Sequence, residues 1–507
     1  MGINQLQQAV WALTLACGGC MALEGDTACV ALAVALPGLV TFPNSTLYAV
    51  ENIYWSARQS AATPDCFVTP RQTSDVATAI KLLTALNTPF TVKGGGHTAF
   101  AGASNIEDGV TIDLLFLNSI VVSDDRMTVS VGPGNRWINI SETLDPLGLA
   151  VVGGREPNIG VGGLALGGGL SYFSGIRGMA CDNVRNYEVV LASGEVVNVS
   201  PTTNPDLYWA LRGGSGSNFG VVTRFDLASF EQGDLWSSSV IYPGILNTTL
   251  IPLFQDLTVN GLPSDSQVHT YFVQTYIPAL GGFAILSDQY RATPLPDEAI
   301  PRAFAALQAV PSIIKTTKVA NVSTALRGIE VAYGSRQTWW NTGVSASSAA
   351  LLQDFVPLYE EHVFRLLAAA NGTSITPFFV YQPLPVNVLT AMQVNGGNAL
   401  GLYPEDGPLV IVQVSVTWEN AAIDDLVESS CKQLIKQVKA LAKSRGLDRE
   451  YIYINYAGKT QDVFRSYGNA SYTRLKEVAK AVDPQGLFQK LWKGYFKLDR
   501  PKCRPRD

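Results

Sequence analysis

Up to about residue 230 the apolar positions of this chain come in short runs broken by glycine; beyond about 235 they come in longer runs alternating with polar positions. In the first part, residues 75–86 have helical spacing behind Thr73 and Ser74, which predicts a helix capped by those two residues. Residues 89–92, 110–114 and 127–131 are short β-rich runs and predict strands, completing a small α/β unit. Residues 186–191 and 195–199 flank Ser193-Gly194 and predict a hairpin in a second unit. In the later part, Val268–Ile277 and Leu409–Trp418 alternate with period two and predict half-buried strands. Over 421–445, Ile423, Leu426, Val427, Leu434, Ile435, Val438 and Leu441 recur every three or four residues, and Gly446 supplies a stop. A helix this amphipathic covers a sheet. The pattern therefore predicts an α+β chain whose middle part is an antiparallel sheet with helices on one face.

Length and charge narrow the function. At 507 residues the chain exceeds one ordinary core, so two or three domains are expected, and 47% hydrophobic residues suffice to fill them. With 42 acidic against 36 basic residues, and a basic run only at Arg500, Lys502, Arg504 and Arg506, nothing matches a phosphate-backbone footprint. Nucleic acid is not expected as a partner. Apolar stretches in the first 40 residues are interrupted by Gly18-Gly19, Glu24, Asp26 and Pro37, which argues against stable membrane insertion and reads residues 1–22 as a secretory signal. Its removal would leave five of the seven cysteines, Cys29, Cys66, Cys181, Cys431 and Cys503, and seven sequons suit a secreted glycoprotein. No feature of the sequence fixes an oligomeric state.

Candidate chemistry lies in three glycine-rich segments. Lys93-Gly94-Gly95-Gly96-His97 follows the 89–92 strand and carries one of only three histidines; consecutive glycines there let backbone N–H groups converge on a diphosphate. Gly160-Val161-Gly162-Gly163-Leu164-Ala165-Leu166-Gly167-Gly168-Gly169 matches a dinucleotide fingerprint literally. A Rossmann turn opens into a helix, however, and the terminal glycines would cost about 1 kcal/mol each inside one, so the segment reads as a loop. The third, 204–223, is a short helix running into a glycine turn around Gly213 to Gly220 and then a strand with Val222. Three such loops in 130 residues imply one extended ligand. His269 lies in an alternating strand and His362 in an apolar helix, so both read as structural, and no cluster has metal-ligand spacing. No Gly-x-Ser-x-Gly stands in a hydrolase context.

These segments, with 178–184 and the 209–220 stretch, resemble the FAD-binding module of the vanillyl-alcohol-oxidase (PCMH-type) superfamily. Tyr453-Ile-Asn455-Tyr456, Tyr467-Gly-Asn469, Tyr472, Leu475, 482–484 and Phe488 are similar to the C-terminal motif of berberine-bridge-enzyme-like oxidases. The resemblance implies a two-part PCMH-type FAD domain (63–233) preceded by a tied N-terminal segment (23–62). A substrate domain (234–450) would follow, then a berberine-bridge-like segment returning to the FAD domain (451–498) and a basic tail (499–507).

It also implies roles. FAD would be the cofactor, bonded through its 8α-methyl to His97 and held by Lys93, Gly94, Gly95, Gly96, Thr98, Gly162, Gly163, Gly168, Asn183, Gly220, Val222 and Asn455. Many members carry a second link from a cysteine where this chain has Glu156, which cannot form a thioether; a single link through His97, as in fungal-type members, is expected. Cys29 and Cys66 match a disulfide pair of relatives. The catalytic positions match Tyr453 and Gln413; because a neutral glutamine cannot take a proton, Tyr453 is the leading base, with Gln413 orienting substrate. Tyr172, Tyr381 and Gln382 are the expected substrate wall, and Thr98-Ala99, where relatives carry a bulky tyrosine, leaves it more open. The expected activity is oxidation of a small-molecule alcohol, phenol or amine of secondary metabolism, with O₂ taking the electrons to give H₂O₂. A carbohydrate oxidase, or a flavin-carrying cyclase or binding protein, stays open as the alternative.

Overall fold

Two small sheets and one large one account for the change of period along the chain. The computed structural model describes residues 24–499; the signal segment with Cys17 and Cys20, and the basic tail from Arg500 with Cys503, lie outside the described residues. The first sheet runs Val40–Thr41, Cys66–Val68, Val110–Asp113, Phe90–Lys93, its last three strands parallel. Helix Thr73–Ala85 links two of them and buries Val76, Ile80 and Leu83. Its cap is Gln72 rather than Thr73 or Ser74. The Asp75 carboxylate accepts the Arg71 and Gln72 backbone N–H groups, so the helix starts two residues earlier than its apolar pattern.

The second sheet runs Ile120–Val122, Thr128–Val131, Val221–Glu231, Val184–Val190, Val196–Val199, with Leu149–Val151 beside the end of the long strand. The expected hairpin is there, Val184–Val190 pairing antiparallel with Val196–Val199. The segment expected as a loop over 160–169 is half helix. Residues Val161–Leu166 form it, because Val161 and Ala165 are buried strongly enough to offset two glycines, and Gly167, Gly168 and Gly169 end it.

The third sheet is antiparallel throughout, in the order Ile314–Ala320, Leu235–Pro243, Gly282–Arg291, Val268–Ile277, Ile375–Leu384, Leu409–Trp418, Arg336–Ser345, Asp448–Arg449. Helices Ala349–Ala369 and Asp424–Ser444 cover one face, and Phe272, Phe379, Val412, Val414 and Val416 join Phe355, Tyr359, Cys431 and Leu434 in its core. The long amphipathic helix has the expected stripe, and Gly446 follows at φ +67°. The other face of the sheet is turned toward the glycine-rich half. The chain's end returns to the first sheet, where Trp492 bridges to Phe90 and Phe488 packs edge-on against the same ring.

Cys29 and Cys66 are joined, tying helix Glu24–Ala35 to the first sheet; Cys181 and Cys431 are buried thiols. No helix among the described residues is long and apolar enough to cross a membrane.

Candidate active site

A cavity of about 400 Å³ lies between the glycine-rich half and the open face of the large sheet. From the first half it is lined by Gly94, Gly95, Gly96, His97 and Thr98, by Gly160, Gly162 and Gly163, and by Ser215 to Ser217, Gly220 and Val222. The first two segments meet back to back. A Cβ on Gly95 would stand 2.5 Å from both Cα and N of Gly160, so the two backbones approach as only glycines permit. We predict that Gly95→Ala protein carries well below the parent's content of the flavin that the sequence resemblance implies, since one loop must shift to admit the methyl group. Equal flavin-to-protein absorbance ratios would show that the loops part at no cost.

His97 is held chiefly by stacking, and its Nε2 makes no hydrogen bond. Its ring stacks on Trp55, with centroids 4.1 Å apart and planes within 8°. Nε2 is buried, lies 3.6 Å from Oε2 of Glu156, and has no closer polar partner. Burial, with Arg136 nearby, pushes the imidazole down to about 3, so it is neutral at physiological pH. Glu156 accepts backbone N–H groups from Asn158 (2.8 Å) and Val331 (3.4 Å), which aim its carboxylate at His97. Burial holds that carboxyl above the usual carboxylate range.

The far wall is the open face of the sheet, read every second residue. Tyr271 and Val273 come from one strand, Phe378, Val380 and Gln382 from the next, then Gln413, Ser415 and Thr417, then Gln337 and Trp339. Gln413 faces away from Val412 and Val414, as its alternation predicts, and its amide hydrogen-bonds no other residue of the described chain. Gln382 accepts a 2.8 Å hydrogen bond from Arg155 Nη1.

Tyr453 closes the cavity between the two halves. Its phenol oxygen accepts from the backbone N–H of Gly169 (3.0 Å) and of Leu170 (3.3 Å), and from Asn455 Nδ2 (3.0 Å). Gly168 and Gly169 at φ +114° and +92° make the turn that aims those two N–H groups. A Cβ on Gly167 would collide with Asn455 Oδ1 at 2.1 Å, so the glycine triplet exists to hold Tyr453 and Asn455. Burial pushes the phenol above its ordinary range, and the three donors oppose the shift.

Several expected site residues stand elsewhere. Lys93 pairs with Asp113 at 2.9 Å and donates to the Glu51 carbonyl, on the side of its strand away from the cavity. Gly168 serves the turn just described and does not line the cavity, and Asn183 binds the carbonyls of Arg177 and Met179. Tyr381 points into the helix-covered core, where it packs on Phe254 and Phe379 and its hydroxyl donates to the Leu352 carbonyl. Tyr172 sits one layer behind the wall: its hydroxyl donates to the Arg155 carbonyl and its ring meets Tyr290. His269 is more than a packing residue, because Nε2 lies 2.8 Å from Arg155 Nη1; His362 contacts Ser430 between two helices. Sequence reasoning missed Arg155, Trp55, Trp339 and Tyr271, and gave Tyr456 no role beyond its motif. For Arg155 a signal existed, a charged residue within the glycine-rich 153–169 stretch beside Glu156.

The residues present fit a flat dinucleotide: glycine backbone along one side, a buried imidazole nitrogen without a partner, and an opposing wall of amides and aromatic rings. Comparison with known proteins agrees. The FAD binding domain family matches residues 64–200. The FAD-dependent monooxygenase tpcD of Cochliobolus heterostrophus is 37% identical over 461 residues, covering 89% of this chain and 88% of its own. Among solved structures, the xylooligosaccharide oxidase of Myceliophthora thermophila, in complex with xylobiose, superposes with a TM-score of 0.75 at 20% identity, covering 93% of this chain and 100% of that one. The glucooligosaccharide oxidase of Acremonium strictum, described with a 6-S-cysteinyl, 8α-N1-histidyl FAD, gives 0.71 at 18% identity, covering 92% and 100%.

Proposed function

This chain belongs to the FAD-linked oxidoreductases of the vanillyl-alcohol-oxidase type, with a berberine-bridge-like fold, and from that premise we propose that it oxidises a small-molecule alcohol, phenol or amine of secondary metabolism. The cofactor is FAD. When bound, FAD would supply a two-electron acceptor for the hydride of a substrate C–H bond, with O₂ as the proposed final acceptor. The observation that carries the reading is the convergence of three N–H donors on the Tyr453 oxygen at the cavity wall.

Tyr453 takes the proton from the substrate's O–H or N–H. The donors that accept no proton themselves stabilise negative charge on its oxygen, and Asn455 fixes the ring's position. The Gln413 side-chain amide, free of hydrogen bonds to the other described residues, orients the substrate's polar atom. His97 would anchor FAD through one covalent bond, because Glu156, which faces the imidazole, cannot form a thioether as a second link. The wall offers more polar groups than the sequence located, in Gln337, Gln382 and Gln413, but Tyr271, Phe378, Trp339, Val273 and Val380 make it chiefly apolar, which favours an aromatic metabolite over an oligosaccharide.

Turnover under ¹⁸O₂ tests the reading. An oxidase forms one H₂O₂ per substrate consumed and leaves the product unlabelled. Labelled product without matching peroxide would place the chain with the monooxygenation named for its fungal relative. The Cys29–Cys66 disulfide supports a secretory location, and N-terminal sequencing of exported protein starting near residue 23 is the result expected.

A further inference from the structure

The cavity wall carries two charged side chains, Arg155 and Glu156, and only Glu156 has its charge engaged. The Arg155 guanidinium is surrounded by neutral acceptors. Nη1 contacts His269 Nε2 at 2.8 Å and donates to Gln382 Oε1 at 2.8 Å, while Nη2 donates to the Tyr456 hydroxyl at 2.9 Å. The Tyr271 ring lies under it, 4.8 Å from the guanidinium carbon. Among the described residues no carboxylate pairs with it. Asp288, which accepts from the hydroxyl of the same Tyr271, is taken up by that hydroxyl and the one of Ser239. His269 cannot supply a countercharge and is neutral as well, since burial and the guanidinium hold its imidazole below the ordinary range.

A buried cation without an anion is costly, by several kcal/mol, and persists where something later completes it. Four neighbours hold this one in a single orientation, from 114, 227 and 301 residues along the chain for the three hydrogen bonds. These contacts use three of the five guanidinium N–H groups, so a side chain that lines the cavity keeps donors to spare. Tyr456, which it binds, stands edge-on to Tyr453 with centroids 4.9 Å apart. The guanidinium is thus fixed within one aromatic ring of the proposed base.

We infer that Arg155 receives an anionic oxygen of the substrate, so that the metabolite oxidised here carries a carboxylate or an ionised enol or phenol beside the group that is oxidised. The inference rests on the reading of this cavity as the substrate site. Both anions present delocalised charge on oxygen, which a planar guanidinium fork accepts better than a point cation.

Binding tests it without turnover. Holoprotein is titrated with acetate, benzoate and salicylate, each against its neutral amide, and with 1,3-cyclohexanedione as the ionised enol, while the flavin absorption spectrum reports occupancy. We expect at least one anion to bind more tightly than its neutral counterpart by about tenfold or more. That preference is lost in Arg155→Met and partly kept in Arg155→Lys, with the flavin-to-protein ratio at the parent's value in both. A preference among the carboxylates alone assigns a carboxylate substrate; one for the dione alone assigns an enol. The inference is overturned if no anion outbinds its neutral partner, if Arg155→Met weakens anion and amide equally, or if both variants lose flavin. The last result would assign Arg155 to holding the cofactor. None of these outcomes depends on whether peroxide is formed, so failure of the oxidase reading remains a separate result.

Discussion

His97→Ala protein precipitated with acid releases its flavin into the supernatant, while the parent's precipitate stays yellow. The expectation follows from the state of the imidazole. A nucleophilic ring nitrogen needs a free lone pair, and burial keeps His97 neutral by pushing it down to about 3. The Glu156 carboxylate, 3.6 Å from Nε2, is too far to hydrogen-bond it, so the neutral ring keeps an unprotonated nitrogen to bond the 8α-methyl group. Trp55, stacked on the ring, fixes its plane. Yellow retained in the mutant's precipitate would move the attachment to another residue, and a colourless parent precipitate would mean that the flavin is held without a covalent bond.

The second large effect is at Tyr453. Replacing it by Phe is expected to slow anaerobic flavin reduction by about 10², the usual contribution of a positioned base. The sign of the pH dependence follows from the role: a base must be unprotonated, so the parent's reduction rate rises with pH toward the phenol's titration, which burial has shifted upward. The phenylalanine variant should lose that rise. The change also strands three N–H donors, on Gly169, Leu170 and Asn455, at about 1–3 kcal/mol for each left unpaired. Flavin content and thermal midpoint, measured alongside, separate a destabilised chain from one that has lost its base. A reduction rate within a few-fold of the parent's, with the pH rise intact, would remove Tyr453 from the mechanism.

How much of this site was legible depended on whether a side chain's direction could be read locally. Gln413 was, because it sits between Val412 and Val414 and polar-apolar alternation gives the phase of the strand. Tyr381 was not. Its strand reads Phe378-Phe379-Val380-Tyr381, four apolar residues in a row, and only pairing decides which face each takes. Val380 stands opposite Gln413 and so faces the cavity; Tyr381 stands opposite Val412 and so faces the helices. Lys93 failed for a related reason. Adjacency to the glycine turn placed its backbone correctly, while register with Asp113 on the parallel neighbour turned its side chain into an ion pair.

The glycine triplet shows the same division. Its composition announced a backbone that must bend as other residues do not, yet what the bend serves, two N–H groups aimed at Tyr453, involves a residue 284 positions away. Arg155 is the extreme case, since every group that holds its guanidinium belongs to a distant segment. By itself the sequence determined the α+β plan, the strands that alternate, the histidine at the end of the glycine turn and the FAD-type motifs, because period, turn chemistry and motif spacing are local properties of a chain. The tertiary structure alone decided which faces meet, that Glu156 confronts His97, and that a guanidinium without an anion stands beside the proposed base. Those facts depend on strand register and on contacts between segments from about 60 to 300 residues apart, which no local pattern encodes.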